Sequence, residues 1–408
     1  MKSYKPRSLL IDSGGGWFDS DSSPMAGVFG DPVLTLCFSG GKTRMFSDST
    51  EETSSEDPLR FVERLAAEGY TALGYISYEY FRYTTPGVRT LQRKEEERFP
   101  LVFFHFYEQS GFYVGSCEEA LSVPASSAEN CPGGAPRTNI RKEEYARKIS
   151  AIKEHIAAGD VYQVNLSRKF RFEPLGESLS WFADFYRAQP VPFAALISFP
   201  GFDLVSGSME LFLRKRGDRI TTRPIKGTIR RDPDPRRDRE LAETLGKSPK
   251  ERAENLMIVD LMRNDLGRIC GYGSIGVRQL FAVRPYSTLF QMESEIEGRL
   301  RPGVGFSQII ASTFPPGSVT GAPKREALSI IDSLEPHLRG PYCGAICLFP
   351  PDGNFTMSVA IRTGVSRPEG ADFWFGGGIV WDSRAEEEYG ETELKAKALA
   401  SVASRQVI

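Results

Sequence analysis

Between residues 161 and 225 one strand-like run follows another: VYQVNLSRKFRF, FAALISF, DLVSGSM, ELFLRK and RITTRPI, with no helical pattern read between them. Parallel neighbours need a crossover of a dozen or more residues, usually a helix, so strand following strand favours antiparallel pairing. Helical patterns lie elsewhere, in EEYARKISAIKEHIAAGD just before this run and at 235–246, 249–266, 304–313, 323–335 and 384–403. The expected fold is α+β, with antiparallel sheet and helices gathered on the outside.

The 408 residues suit two domains or one large two-sheet body. Residues 1–118 read as an α+β segment: the strands VLTLCF, ALGYISY and LVFFHFY around the helix DPLRFVERLAAEG, whose Asp57-Pro58 opening is a good start signal. Residues 119–138, rich in Ser, Pro, Ala and Gly, read as an exposed linker, and 139–408 as the second domain. With 51 basic and 53 acidic residues the charge shows no bias toward nucleic acid or a membrane surface, and a small molecule is the expected partner. Nowhere do roughly 20 apolar residues run together as a membrane span requires, and the N-terminus has no signal-like core, so a cytoplasmic protein is expected. The six cysteines form no CxxC pair, which disfavours a zinc ribbon or thioredoxin-like site. His105, His155 and His337 sit in structural patterns, leaving proton transfer mainly to Glu, Lys or Tyr.

Four stretches could carry chemistry. Glu251 with Glu254, and Glu388 with Glu391, repeat the spacing Glu-x-x-Glu, which on a helix puts both carboxylates on one face. Two such faces suit a hard cation such as Mg²⁺. Ser248-Pro249-x-Glu251 and Ser383-x-x-Glu386 also read as capping boxes, so the spacing alone leaves both readings open. FGGGIV (375–380) would let backbone N–H groups approach an anion, yet it lacks the dinucleotide spacing, and a bare glycine run is more often a turn than a site. VTGAPK (319–324) lacks the Walker spacing and suits a helix start. In AIRTG, Arg362 follows a strand-like run, where it could grip a carboxylate or sit on the surface as strand arginines usually do, and RPIKGT sets Lys226 between an apolar pair and a Gly-Thr turn, where a charge is rare although most lysines are surface residues.

Taken in order, VYQVNLSRKF, SGSMELF, RPIKGT, ENLMIVDLMRNDLGR, FPPGSVTGAPKREAL, RGPYCGA, AIRTG and GGGIVWDSRAEEEYGETELKAKA resemble the chorismate-utilising enzymes. That family contains anthranilate synthase component I, aminodeoxychorismate synthase component I, isochorismate synthases and salicylate synthases. The resemblance covers roughly 140–400 and implies large antiparallel sheets packed face to face with helices outside. It implies Mg²⁺ held by Glu254 and Glu391 with Glu251 and Glu388 as the second pair. It also implies Tyr342, Arg362 and the amides of Gly376, Gly377 and Gly378 around the substrate carboxylates, and Gly227 and Thr228 along the ring. Gln163, Gln291, Thr320 and Lys395 match further substrate-binding positions, and Glu210 matches the general acid, in SME where the usual motif is SPE. LLIDSGG resembles an opening strand that helps form a tryptophan pocket in some members.

Isochorismate and salicylate synthases carry a lysine at the position of Gln163, and anthranilate synthases usually read PIAGT where this chain reads PIKGT. Lys226 instead matches the lysine of aminodeoxychorismate synthases, and QMES, with Gln291 and Glu293, replaces the HLVS of many relatives. The resemblance thus implies conversion of chorismate and ammonia to 4-amino-4-deoxychorismate on the way to p-aminobenzoate and folate. The ammonia is expected from a separate glutamine amidotransferase subunit, since no Cys-His-Glu amidotransferase pattern is read in the chain. An anthranilate synthase component I is the alternative, and a silent subunit that binds chorismate or tryptophan the third reading.

Overall fold

The computed structural model describes residues 8–18, 24–47, 49–91, 99–121, 136–174 and 176–403. Cys131 and residues 122–135 of the expected linker lie outside them.

Two sheets, of 10 and 12 strands among the described residues, form the body, and their ladders are antiparallel. Both draw strands from either side of residue 138: Ser8–Asp12 pairs with Phe193–Phe199 in the smaller sheet, and Thr71–Ile76 with Ala345–Phe349 in the larger. The segment 1–118 therefore completes both sheets. Alternation along the strands fills two cores. Leu10, Ala195 and Ile197 point between the sheets, while Leu9, Ile11, Ala194 and Leu196 point to the opposite face, where they meet the aromatic side chains of Ser178–Ala188. Phe199 of the smaller sheet meets Phe103 and Tyr75 of the larger with ring centroids 4.6 and 5.2 Å apart, so the sheets pack face to face.

The helices expected from sequence form close to their expected bounds, as Lys142–Ala157, Pro235–Lys247, Pro249–Gly267, Phe306–Thr313, Lys324–Leu334 and Ala385–Ala403. One further helix, Ser178–Ala188, interrupts the strand run that the sequence suggests is continuous. Its Trp181, Phe182, Phe185 and Tyr186 are buried, and Trp181 packs on Phe373 at 5.5 Å. Bulky aromatics favour strands by propensity and here serve a helix through burial. The antiparallel inference survives because the strands on either side, Gln163–Phe172 and Phe193–Phe199, are not neighbours in the sheet. No helix among the described residues is long and apolar enough to cross a membrane.

Phe199 is fully buried between the sheets, so Phe199→Ala should cost about 3–5 kcal/mol, read from the denaturant midpoint. Trp381, exposed and touched by the Lys153 ammonium, should tolerate alanine within about 0.5 kcal/mol.

Candidate active site

The chain passes between its sheets at two adjacent points. It leaves the smaller sheet at Ser208 and enters the larger at Leu211; it leaves the larger at Val359 and re-enters the smaller at Thr363. The Ser208 hydroxyl donates to the Val359 carbonyl at 2.6 Å, and the Val359 N–H to the Glu210 carbonyl at 3.0 Å. Glu210 and Arg362 are the charged residues of these two crossings.

The Glu210 carboxyl is buried, and burial pushes its pKa up to about 7 against a hydrogen bond from Ser318 and the field of Lys226. The Ile225 N–H reaches the same carboxyl at 3.4 Å. Ile225 opens the strand Ile225–Arg230, whose ladder with Leu289–Arg299 slips between Ile225 and Thr228. At that slip Gly227 takes φ +88°, and a Cβ there would stand 2.9 Å from a Glu251 carboxylate oxygen. Lys226 beside it is desolvated, which lowers its pKa, while Glu254 and then Glu210 act in the opposite direction.

The three glycines lie inside the strand Gly370–Ile379 rather than in a turn, paired with Gln163–Phe172 so that Asn165 faces Gly378, Leu166 Gly377 and Ser167 Gly376. A side chain at Gly378 would meet the Gln163 amide nitrogen at 2.3 Å and the Lys226 Nζ at 3.2 Å; one at Gly377 would meet Glu388 at 3.1 Å. These glycines keep open the space into which a lysine, an amide and a carboxylate converge. Gln163 is fully buried, yet neither its amide nitrogen nor its oxygen has a partner, and the Asn165 and Gln291 side-chain oxygens are likewise unpaired. Buried polar atoms are normally satisfied, so a row of orphans beside an open glycine face marks a place for a polar ligand.

The two acidic helices close the space. Pro249–Gly267 starts with the Ser248 hydroxyl accepting the Glu251 N–H, as a capping residue does, but the Ser248 N–H goes to the Leu245 carbonyl, so only half of the expected capping box forms and the Glu251 carboxylate is left to the site. The Lys324 ammonium bonds Asp265 at 2.6 Å near its far end. In Ala385–Ala403 the second expected capping box gives way to another arrangement: the Ser383 hydroxyl accepts the Val380 N–H and donates to Glu388 at 2.8 Å, while Glu386 pairs with Lys142. Ser383 thereby orients a site carboxylate. Burial raises the pKa of Glu251, Glu254 and Glu388, and the charge of Glu391 adds to each. Lys395, 2.6 Å away, holds Glu391 down and also donates to the Gly376 carbonyl at 2.9 Å. Among the described residues no three acidic, histidine or cysteine side chains already surround one point at ligating distance. Mg²⁺ needs one or two carboxylates, with substrate oxygens and water completing its shell, so the donor set fits that cation.

The remaining expected residues each have neighbours of their own. Gln291 lies opposite Thr228 in the ladder. The Thr320 hydroxyl is used by its own turn, donating to the Pro316 carbonyl, while its carbonyl accepts the Asn165 N–H. Tyr342 is buried and stacks on Trp374 at 6.2 Å. Arg362, held at φ +49°, points its guanidinium at the Gln189 side chain. Burial lowers its pKa to about 10, and the Tyr286 hydroxyl opposes that effect. Tyr286 lines a cavity of about 560 Å³ that also touches Ser13, Gly14, Met209, Arg284 and Glu293, so the opening LLIDSGG stretch does border a pocket. The histidines serve the frame: His105 between Thr35 and Ser198, His155 on Asp160, His337 between Asn139 and Ser167.

Sequence reasoning missed Asn165 and Ser318. Asn165 was detectable as a polar residue at the alternate position from Gln163 in an otherwise buried strand, whereas Ser318 is brought to Glu210 only by the tertiary fold.

The family of chorismate binding enzymes matches residues 8–401. The chain belongs to that family. It is 42% identical over 423 residues to aminodeoxychorismate synthase component 1 of Escherichia coli (strain K12), covering 96% of this chain and 92% of that protein. It is also 42% identical over 264 residues to an anthranilate synthase component 1 of Haloarcula marismortui, where the match spans 65% of this chain and 54% of the relative. The structure superposes on anthranilate synthase component I from Streptococcus pneumoniae TIGR4 with a TM-score of 0.80 at 25% identity, covering 94% and 93% of the two chains.

Gly378→Ala should sharply weaken chorismate binding in a calorimetric titration, because the new methyl group displaces the Gln163 amide and crowds Lys226. Gly390→Ala, on the exposed side of a helix with nothing within 4 Å, should keep that binding and gain about 0.5–1 kcal/mol in thermal unfolding.

Proposed function

We propose that this chain is an aminodeoxychorismate synthase component I, which makes 4-amino-4-deoxychorismate from chorismate and ammonia. The observation that carries the reading is Lys226: a desolvated lysine beside the orphaned Gln163 amide, in the field of the protonatable Glu210. The full-length likeness to the Escherichia coli protein supports it. The equal identity to an anthranilate synthase component makes anthranilate the product to test against.

In the proposed reaction the neutral Lys226 amine attacks ring carbon 2, the two ring double bonds shift, and the hydroxyl on carbon 4 leaves as water with the proton of Glu210. Ammonia then adds at carbon 4 as the double bonds shift back, and the bond from Lys226 to carbon 2 breaks. The Gln163 amide and the Gly376–Gly378 face hold the substrate's polar groups. Glu251, Glu254, Glu388 and Glu391 would hold Mg²⁺, which neutralises substrate negative charge. Ammonia comes from a glutamine amidotransferase subunit, a reading supported by the name component 1 that the relatives carry. The 560 Å³ cavity is the place for tryptophan: Met209 and Phe193 offer apolar wall, and the Arg284–Glu293 pair offers charges for a carboxylate and an ammonium.

Lys226→Ala should leave the melting temperature nearly unchanged and lower formation of 4-amino-4-deoxychorismate by orders of magnitude, with residual product shifting toward anthranilate in a mass spectrum. Wild-type formation of the same product by that variant would remove the lysine from the mechanism.

The pH profile follows from Glu210. Its raised pKa keeps it protonated below about 7, so turnover should fall as pH rises through that value and Glu210 loses the proton it must donate. Excess chelator should abolish turnover, and so should Glu254→Gln without unfolding the protein. Activity that survives chelation would defeat the Mg²⁺ assignment.

A further inference from the structure

We propose that Arg168 is the positioning residue that sets the rotation of helix Ala385–Ala403, and so places Glu388 and Glu391 opposite Glu251 and Glu254. The proposal rests on reading those carboxylates as a cation site. Arg168 belongs to the strand Gln163–Phe172, and its side chain is wholly buried, an expensive place for a charge unless every donor is engaged. Its Nε donates to the Ile140 carbonyl at 3.2 Å, one terminal nitrogen to the Thr392 hydroxyl at 2.7 Å and the other to the Glu393 carboxylate at 2.8 Å. The guanidinium carbon lies 3.8 Å from the centre of the Tyr389 ring. A flat, forked cation is thus held against three residues of one helix, at positions i, i+3 and i+4.

Those three residues form one stripe of the helix, and Glu388, Glu391 and Lys395 form the next. With 3.6 residues per turn the centres of the two stripes are about 120° apart on one rigid helix, so any rotation that frees the guanidinium also swings the carboxylates away. The second stripe is fixed at its own edge by the Ser383 hydroxyl on Glu388 and by Lys395 on the Gly376 carbonyl. Arg168 is therefore the buried anchor of a helix whose neighbouring face is functional. A lysine could reach Glu393 but could not also fork to Thr392 and lie flat on the ring.

The test compares the wild-type chain with Arg168→Met, Arg168→Lys and Thr392→Val, the last losing one branch of the fork with little change of shape. Amide hydrogen exchange across 385–396 reads the helix, and a Mn²⁺ titration followed by electron paramagnetic resonance, without substrate, reads the cation site. Expected are exchange about tenfold faster in that helix and Mn²⁺ affinity about tenfold weaker for Arg168→Met, with smaller shifts in the same direction for Thr392→Val. Arg168→Lys should recover little of either. Should Arg168→Met fail to fold, the other two variants decide. Wild-type exchange and affinity in the folded variants would overturn the proposal. Failure of the wild-type chain to bind Mn²⁺ would defeat the cation reading, and the exchange data would still decide for or against Arg168.

Discussion

Two hydrogen bonds, from the Ser208 hydroxyl to the Val359 carbonyl and from the Val359 N–H to the Glu210 carbonyl, tie together the two places where the chain changes sheets. A strand that leaves a sheet gives up its ladder partners, and its backbone groups must find others. Here each crossing supplies the other. Gly207 donates to the Arg362 carbonyl at 3.1 Å, and Ser206 meets Thr363 at 2.8 Å, so the seam is bonded on both sides of the junction. Glu210 is therefore carried by backbone bonded to the other crossing, and Arg362 takes a left-handed conformation that side chains seldom adopt. The site follows from the topology, since it lies where the chain crosses twice between the two sheets.

Close approach of backbones is the second constraint. At Gly376 a Cβ would lie 2.7 Å from the Leu166 carbonyl, and at Gly378 it would fall on the Gln163 amide. No other residue type leaves that room. The same three glycines that read as a turn in the sequence are thus strand residues selected for what stands next to them, and a pattern of glycines cannot distinguish the two cases. The missed helix Ser178–Ala188 is the converse: its aromatics look like strand, and only the sheet face beneath them makes a helix the better burial.

The antiparallel architecture was legible because it depends on local order, strand after strand, and the acidic helices were legible because caps and spacing are local too. Ser248 and Pro249 mark the start of their helix before any contact is known. What could not be read was partnership across long separations. Arg168 and Thr392 are 224 residues apart, and Arg362 meets Gln189 across 173. Ser383 shows the limit within a local motif, since the capping geometry was reasonable and the hydroxyl still turned to Glu388. The identities of the site residues came from resemblance, whereas their mutual placement required the fold.

Lys226 and Glu210 lie in each other's field, so their protons belong to the pair. One proton shared between them gives either an ammonium facing a carboxylate or an amine facing a carboxylic acid. In water the ion pair wins by several pKa units, because both charges are solvated. Burial acts on both members at once, lowering the lysine and raising the glutamate, and each shift moves the balance toward the uncharged pair. Glu254 pulls the other way by favouring the ammonium. In the proposed reading, a cation held by Glu254 would offset that pull. In the proposed reaction the uncharged pair is the reactive one, an amine able to attack and an acid able to protonate the departing hydroxyl, so the burial that costs the fold stability also prepares both groups.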